Sequence, residues 1–383
     1  MSRLRVALVH DWLTGYRGGE RVLSHLATRH PTADLYTLFH LPGSTRDCIE
    51  ARRIETSVLD RLPGSGRHYR KLLPLFPWAI QRFDFSDYDL VISTSHCVAK
   101  SIRVPDGVRH LDYCFTPMRY IWDEIDGYLG QGLRRKLSTP LVNALRRFDV
   151  ATSGPDRVSR FVAISRAVAD RIRRHYRREA NVVAPPVDLS WIRPATSPPD
   201  DFYLLVGGFV PYKRDALVIE TFRRLGRKLL VVGDGPGRRD LQRSAPANVE
   251  FLGRIDDAAL AEIYARARAL VYPQREDFGL VAVEAQGAGR PVIAFAEGGV
   301  RDTVRPLPDE KDEEAGLEDP DATGVFFHRP EPADLARAIE RFEKAESVFE
   351  PARLRRWADR FSPPRFDAAF DREIEAVLEC PSP

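Results

Sequence analysis

Residues 275–294 read REDFGLVAVEAQGAGRPVIA, and the layout of this stretch decides the fold. Glu276 and Glu284 stand eight positions apart in an otherwise small and apolar segment. One continuous helix would separate them by about 12 Å along its axis and rotate them by roughly 80°. In that geometry they share no proton and flank no single bond. The flanking residues give another layout. ALVYPQ (269–274) has the apolar makeup of a strand, REDFG forms a turn at its carboxyl end, and LVAVEAQGAG is a helix. Glu276 then lies in the loop beyond a strand end, where open α/β sheets bind ligands. Glu284 falls about two turns into the helix. The helix start at Phe278, Gly279 and Leu280 offers free N–H groups and positive potential to an anion. An extended ligand with a sugar, a diphosphate and a ribose could use all three features. A capping carboxylate plus a surface helix glutamate is the plainer reading of the same residues.

The pattern repeats outward in both directions. LRVALVH (4–10), YDLVIST (88–94), RHLDYCF (109–115) and RFVAIS (160–165) read as strands, and GERVLSHLATRH (19–30) and SRAVADRIRRHYR (165–177) as helices. Alternation of this kind predicts a parallel sheet with helices on both faces. It stops at APPVDLSWIRPATSPPDD (184–201), where five prolines read as a linker. It restarts with FYLLVGG (202–208), KLLVVGDG (228–235), VEFLGR (249–254), ALVYPQ and PVIAFAEGG (291–299). The fold class is therefore α/β, in two doubly wound domains. They are expected at 1–187, with the C-terminal helix of 360–383 crossing back onto that domain, and at 188–359.

Bulk properties narrow the function classes. At 383 residues, with 43% hydrophobic and 30% charged residues, the chain is globular and long enough for two cores. A net charge of +3 gives no case for nucleic acid. The four cysteines, Cys48, Cys97, Cys114 and Cys380, have no metal-ligand spacing and point to a reducing compartment. The apolar run at the start is too short for a signal peptide, and no run approaches the roughly 18 residues of a membrane span. A cytoplasmic protein is expected. The stretch 51–83 mixes basic residues with Leu, Phe and Trp. It reads as a face for the inner membrane surface or an acceptor, or as ordinary amphipathic helices. The acidic stretch 305–324 reads as a solvated insertion.

Three further turns carry chemistry. GGFVPYKRDALVIE (207–220) follows a strand and opens a helix, so Lys213 and Arg214 face the same carboxyl edge as Glu276. Cations there suit a diphosphate, although a solvated basic turn would look alike. VVGDGPGRRDL (231–241) is a glycine-rich turn on that edge, weak evidence alone. HDWLTGYRGGERVL (10–23) places Gly18 and Gly19 at a helix start. It is neither a dinucleotide-binding fingerprint nor a phosphate-binding P-loop.

With EDFGLVAVE (276–284) as an E-x7-E signature, the chain resembles glycosyltransferase family 4, retaining enzymes of the GT-B fold. GGFVPYKR, VVGDGP, VEFLGR, GRPVIAFAEGG and the early GGE appear in the family's order. YCFTPMRYIWD (113–123) and VVAPPVD (182–188) further resemble bacterial mannosyltransferases of cell-surface polysaccharide assembly. The resemblance implies two Rossmann-like domains facing a central cleft. It implies that Glu276 contacts the donor sugar, Glu284 the ribose and Lys213 the diphosphate, with Arg214 beside it. The backbone at Phe278, Gly279 and Leu280 would hold sugar or phosphate. Gly18 and Gly19 would close over the donor, and the base would lie near Gly253 and Arg254. Lys213, Arg214 and the helix starts can supply the charge that a divalent ion would, so no metal and no cofactor are expected. The donor itself would be a nucleotide sugar, GDP-mannose first and a UDP-sugar second, and the acceptor a saccharide or lipid-linked saccharide.

Two positions depart from the family pattern. Phe115 stands where related sequences commonly have histidine, and a phenyl ring neither donates a hydrogen bond nor takes a proton. Gly208 stands where many have arginine. His10, His96, Arg119 and Arg214 are candidate substitutes, the first three toward the acceptor or leaving group. Each also has a structural reading, as a satisfied histidine or a salt-bridged arginine. Both departures also admit a weakened, nucleotide-sugar-binding scaffold subunit.

Overall fold

The computed structural model describes residues 4–123, 125, 133–210, 213–308 and 321–379. Pro211 and Tyr212 of the PYK stretch, most of the acidic insertion (309–320) and Cys380 lie outside the described residues. The chain divides into two compact units, Met1–Pro186 with Phe366–Pro383, and Val187–Arg365.

The first unit is built on a parallel sheet of β1 (Val6–His10), β2 (Asp34–Thr37), β3 (Ile54–Thr56), β4 (Leu90–Ser95), β5 (Arg109–Cys114), β6 (Arg160–Ala163) and β7 (Ala180–Val182). Their order is β3-β2-β1-β4-β5-β6-β7. Every residue of β1 and β4 is buried, as expected of central strands covered on both faces. The short outer strands β2, β3 and β7 escape the sequence pattern. DLYT, IET and ANV are too brief and too polar to show an apolar run.

The second unit holds β8 (Tyr203–Gly207), β9 (Leu229–Gly233), β10 (Val249–Gly253), β11 (Leu270–Tyr272), β12 (Val292–Phe295) and β13 (Gly324–Phe327), also all parallel. Their order is β10-β9-β8-β11-β12-β13. Its core joins Tyr203, Phe222, Val231, Val271, Ile293, Phe295 and Phe342.

In each sheet the strand order reverses once: between β1 and β4, and between β8 and β11. On either side of such a reversal the following connections leave for opposite faces. A crevice then opens beyond the strand ends. The helix Pro363–Glu379 belongs to the first unit from Phe366 onward. Phe366 and Phe370 stack at 5.1 Å and meet the ring of Tyr113 on β5 edge-on. His25 and Arg29 bind Asp367 and Asp371 on the same helix.

The stretch 51–83 forms no continuous amphipathic helix. It is a string of short turns, Val58–Arg61, Ser65–His68, Tyr69–Leu75 and Phe76–Ile80. Leu59, Tyr69, Phe76 and Ile80 anchor these turns in the core.

Candidate functional site

In the second unit, the crevice at the β8/β11 reversal is closed by an ion pair. The loop after β8 brings Lys213, and the loop after β11 brings Glu276. Lys213 Nζ lies 3.0 Å from Glu276 Oε1, with both side chains largely buried. Glu276 Oε2 accepts a hydrogen bond from the Tyr272 hydroxyl at 2.8 Å. Tyr272 ends β11 and is fully buried; burial, with the Glu276 charge, pushes its hydroxyl well above the ordinary tyrosine range, so it remains a donor. The backbone carbonyl of Glu276 accepts from Gly299 N–H at 2.8 Å. The Glu276 carboxylate is thus fixed by its own strand end and by the loop of the neighbouring strand, and its backbone by the turn after β12.

Arg214 adopts the left-handed conformation (φ 59°) and opens the helix Asp215–Leu225. Its guanidinium lies 4.3 Å over the ring of Phe295, the last residue of β12. This stacking holds a second cation at the same strand edge. Asp215 follows directly, and nothing in the sequence pattern singles it out. Its carboxyl is buried, and burial pushes its pKa up to about 6, with Lys213 opposing and Glu276 adding to the shift.

The helix Leu280–Gly287 starts at Gly279, whose φ of +97° is a conformation L side chains rarely adopt. A Cβ there would lie 3.2 Å from the Tyr272 hydroxyl oxygen. The Ala282 N–H bonds back to Gly279 O at 3.0 Å, so the Leu280 and Val281 amides precede that turn. The Phe278 side chain is buried edge-on against Phe361 at 5.6 Å, leaving only its backbone for the edge. Glu284 is nearer the helix start than its sequence context implied: it is the fifth helical residue, about one turn in rather than two. It is also no surface residue. It is 6% exposed, and its Oε2 accepts from the Tyr264 hydroxyl at 3.1 Å.

The glycines after β9 have a different cause from ligand approach. A Cβ on Gly233 would lie 1.8 Å from Gly207 O, one on Gly235 2.8 Å from Gly208 O, and one on Gly237 3.0 Å from Phe209 O. The loop is glycine-rich because the backbone after β8 runs along it. Gly208 itself has room: a Cβ there would meet Asp234 O at an ordinary 3.6 Å. Gly253 closes β10 at a φ of +73°, against the guanidinium of Arg238, and Arg254 beyond it is exposed.

In the first unit, the crevice at the β1/β4 reversal gathers His10, Asp11 and His96. Asp11 follows β1 and is fully buried. It accepts four backbone N–H bonds, from His96 (2.7 Å), Cys97 (2.8 Å), Val98 (2.7 Å) and Ala99 (2.7 Å). His96 Nδ1 lies 3.0 Å from its Oδ2. Burial pushes the Asp11 pKa up, but His96 and the hydrogen bonds outweigh it and hold it at about 2. The His96 ring stands edge-on to Trp12 at 4.5 Å. His10 Nδ1 lies 2.7 Å from Thr94 Oγ1, whose hydroxyl donates to Val9 O. Nδ1 therefore carries the proton. Burial lowers the His10 pKa, and its Nε2 is buried without a hydrogen-bond partner among the described residues. Phe115 lies 6.4 Å from His10, ring to ring, and a Cβ on Gly19 would be 3.3 Å from Phe115. Gly18 and Gly19 open the helix Gly18–Arg29. Arg119 begins the short helix Arg119–Trp122 and is half-buried.

Comparison with known proteins follows this geometry. Residues 192–359 match the family model described as glycosyl transferases group 1. The match lies within the second unit. An uncharacterized glycosyltransferase of Methanocaldococcus jannaschii is 27% identical over 229 residues, 54% of this chain and 61% of that protein. A D-inositol 3-phosphate glycosyltransferase of Rhodococcus opacus is 32% identical over 227 residues, 51% of this chain and 46% of its own length. A GDP-mannose-dependent alpha-mannosyltransferase of Mycolicibacterium smegmatis is 39% identical over 102 residues, 26% of this chain and 27% of its own. The chain thus spans from 27% to 61% of the lengths of these curated relatives. Among solved structures, the sucrose-phosphate synthase of Thermosynechococcus elongatus aligns with a TM-score of 0.71 at 18% identity, covering 98% of this chain and 99% of that one. Anabaena HepE in complex with UDP aligns with a TM-score of 0.70 at 15% identity, covering 97% and 100%. At these identities the likeness is one of fold, two units each built on a parallel sheet.

Proposed function

We propose that the chain is a retaining glycosyltransferase of family 4 that transfers mannose from GDP-mannose to a hydroxyl of a glycan or lipid-linked saccharide. The observation that carries this reading is the Lys213–Glu276 pair at the β8/β11 reversal, beside the helix start at Leu280 and the buried Glu284. Glu276 receives the donor sugar, Glu284 the ribose, and the helix start the diphosphate. The scissile bond joins the anomeric carbon to a diphosphate oxygen. As it breaks, negative charge grows on the leaving group. Lys213, Arg214 and the amides of Leu280 and Val281 are fixed where that charge develops, which lowers the barrier. No metal takes part in this scheme. The match to a GDP-mannose-dependent mannosyltransferase supports the choice of donor.

On this reading the acceptor is taken up at an anionic membrane surface, and the face of residues 51–83 supports it. Leu41, Val58, Leu62, Leu75 and Trp78 are exposed large hydrophobics, and Leu41 lies beside Gly66 of the same patch. Arg61, Arg67, Arg70, Lys71 and Arg82 are exposed around them, and Asp60 is the one acidic residue between 57 and 82. Apolar and basic side chains together favour such a surface. Replacing Leu75 and Trp78 by glutamate is expected to abolish sedimentation with phosphatidylglycerol vesicles.

Thermal-shift screening of GDP, UDP, ADP and their sugars tests the donor, since a ligand of the native state raises apparent stability. GDP and GDP-mannose are expected to give the largest shifts. Glu276→Ala is expected to abolish transfer; unchanged transfer would remove the site assignment. Nucleotide binding with no turnover of any donor would favour the scaffold role instead.

A further inference from the structure

We propose that Tyr272 is a positioning residue for the sugar end of the donor: its hydroxyl fixes the Glu276 carboxylate, so that binding gains from the sugar as well as from the nucleotide. The proposal rests on the glycosyl-transfer reading above and lies wholly within the second unit.

Four observations carry it. First, Tyr272 is the last residue of β11, on the face opposite to the unit's hydrophobic core. Ala269 and Val271 join that core, whereas the Tyr272 hydroxyl lies at Gly279, where the helix Leu280–Gly287 starts. Second, the side chain is 1% exposed, and a buried hydroxyl is costly unless it is bonded. Its bond is the one to Glu276 Oε2 at 2.8 Å. A phenylalanine would fill the same space without that demand, so packing accounts for the ring and not for the oxygen. Third, the two carboxylate oxygens are held by different elements. The strand end holds Oε2, and Lys213 Nζ, from the loop after β8, lies 3.0 Å from Oε1. Two fixed points set the plane of a carboxylate, while one leaves it free to turn about its last bond. Fourth, the Glu276 side chain keeps 27% of its surface open. A carboxylate has about four acceptor positions, so these two partners leave others for the hydroxyls of a sugar.

Lys213 alone would not fix the carboxylate. It is a point charge on a flexible stem, and on this reading the diphosphate also attracts it. A glutamate held only by Lys213 would follow it. Tyr272 has no such freedom: a Cβ on Gly279 would lie 3.2 Å from its oxygen, so the hydroxyl is wedged between the carboxylate and the helix start. Burial, with the Glu276 charge, keeps the proton on the phenol, and the hydroxyl remains a donor. Its role is recognition. The sugar hydroxyls donate, Glu276 accepts, and no proton or bond changes hands at Tyr272. A group that acts through a contact residue in this way governs affinity for the sugar, not for the nucleotide.

The test is calorimetric binding to the full chain of GDP-mannose and UDP-glucose, each compared with its own nucleoside diphosphate. Tyr272→Phe keeps the ring and removes the hydroxyl. It is expected to weaken the nucleotide sugar that the parent binds by at least about 10-fold, and to leave the matching nucleoside diphosphate within about twofold. Retained nucleotide affinity also shows that the variant is folded. Glu276→Ala supplies the second arm. In that background Tyr272→Phe is expected to change nucleotide-sugar affinity by no more than about twofold, because the hydroxyl acts through the carboxylate. Equal weakening of nucleotide sugar and nucleotide would mean that Tyr272 serves only the fold, and would overturn the proposal. So would an unchanged nucleotide-sugar affinity in Tyr272→Phe, or the same loss with Glu276 already removed. These outcomes strike the Tyr272 assignment alone. A parent chain that neither binds nor hydrolyses either nucleotide sugar would instead remove the glycosyl-transfer reading, and the proposal with it.

Discussion

Acid titration of Asp11 tests the geometry of the first unit directly. Its carboxyl falls from an ordinary 3.8 to about 2 in the folded chain. A depressed carboxylate pKa adds stability above the unfolded value and loses it as pH falls through the folded one. The shift corresponds to about 2 kcal/mol, of which about 1 is gone by about pH 3 and nearly all by about pH 1. Asp11→Asn isolates this contribution, because asparagine does not titrate. The variant is less stable at neutral pH for a separate reason. Its amide presents NH2 where a carboxylate oxygen accepted two amides, leaving two buried donors unmatched at about 1–3 kcal/mol each. The assay is urea denaturation of parent and variant, stepped from about pH 6 to about pH 2 at fixed ionic strength and followed by tryptophan fluorescence, with Trp12 against His96 as a local reporter. The gap between the two stabilities is expected to narrow by about 2 kcal/mol over that range. A constant gap across the acid limb would mean that the carboxylate is not held by these contacts, and the orientation of His96 would lose its basis.

Three other outcomes follow from the second unit. Asp215 shifts the opposite way, to about 6. Its charge therefore opposes folding as pH rises from about 4 through 6, so Asp215→Asn is expected to be about 1–3 kcal/mol more stable than the parent near neutrality and to lose that advantage below about pH 4, measured by the same denaturation. Glu284→Gln still accepts from Tyr264 and is expected to keep the fold, but losing a charge-assisted bond worth about 1.5–3 kcal/mol should weaken GDP about 10–100-fold by calorimetry. An unchanged dissociation constant would take the ribose away from Glu284. In Gly208→Arg the new Cβ meets only an ordinary contact at 3.6 Å. It is expected to leave the melting temperature within a few degrees and to tighten GDP in a salt-dependent way, and a fall in affinity would show that this loop has no room beside the diphosphate.

The layer plan was legible because central parallel strands are apolar throughout, as VALVH and LVISTS show. The Glu276 loop was legible for a related reason: a strand, a turn and a helix start are local patterns, and Lys213 and Arg214 occupy the same kind of turn. What depends on contacts between distant segments was not. Asp11 binds backbone amides 85 to 88 positions away, and an amide carries no residue identity to read. Asp215 is distinguished by burial rather than by its neighbours in sequence. The VVGDGPG turn suggested a ligand, whereas Gly207, Gly208 and Phe209 from the adjacent loop account for its glycines.

The order of strands explains why the unread residues matter. Local pattern gives strand, helix, strand, but not the side on which the next strand is added. Both sheets grow outward from the first strand in one direction, then return and grow in the other, so that β1 lies beside β4 and β8 beside β11. At these two places the outgoing chain departs to opposite faces, and the strand ends there are not covered by their own connections. A polar pair that bridges the two strand ends at such a place is held firmly by the sheet and still open on its outer side. Asp11 with His96 and Lys213 with Glu276 are such pairs. A charge anchored on two strands loses little entropy when a ligand arrives and needs little reorganisation as charge develops in the reaction. This makes the two reversals, rather than the glycine-rich turns beside them, the places where substitution should alter chemistry more than fold.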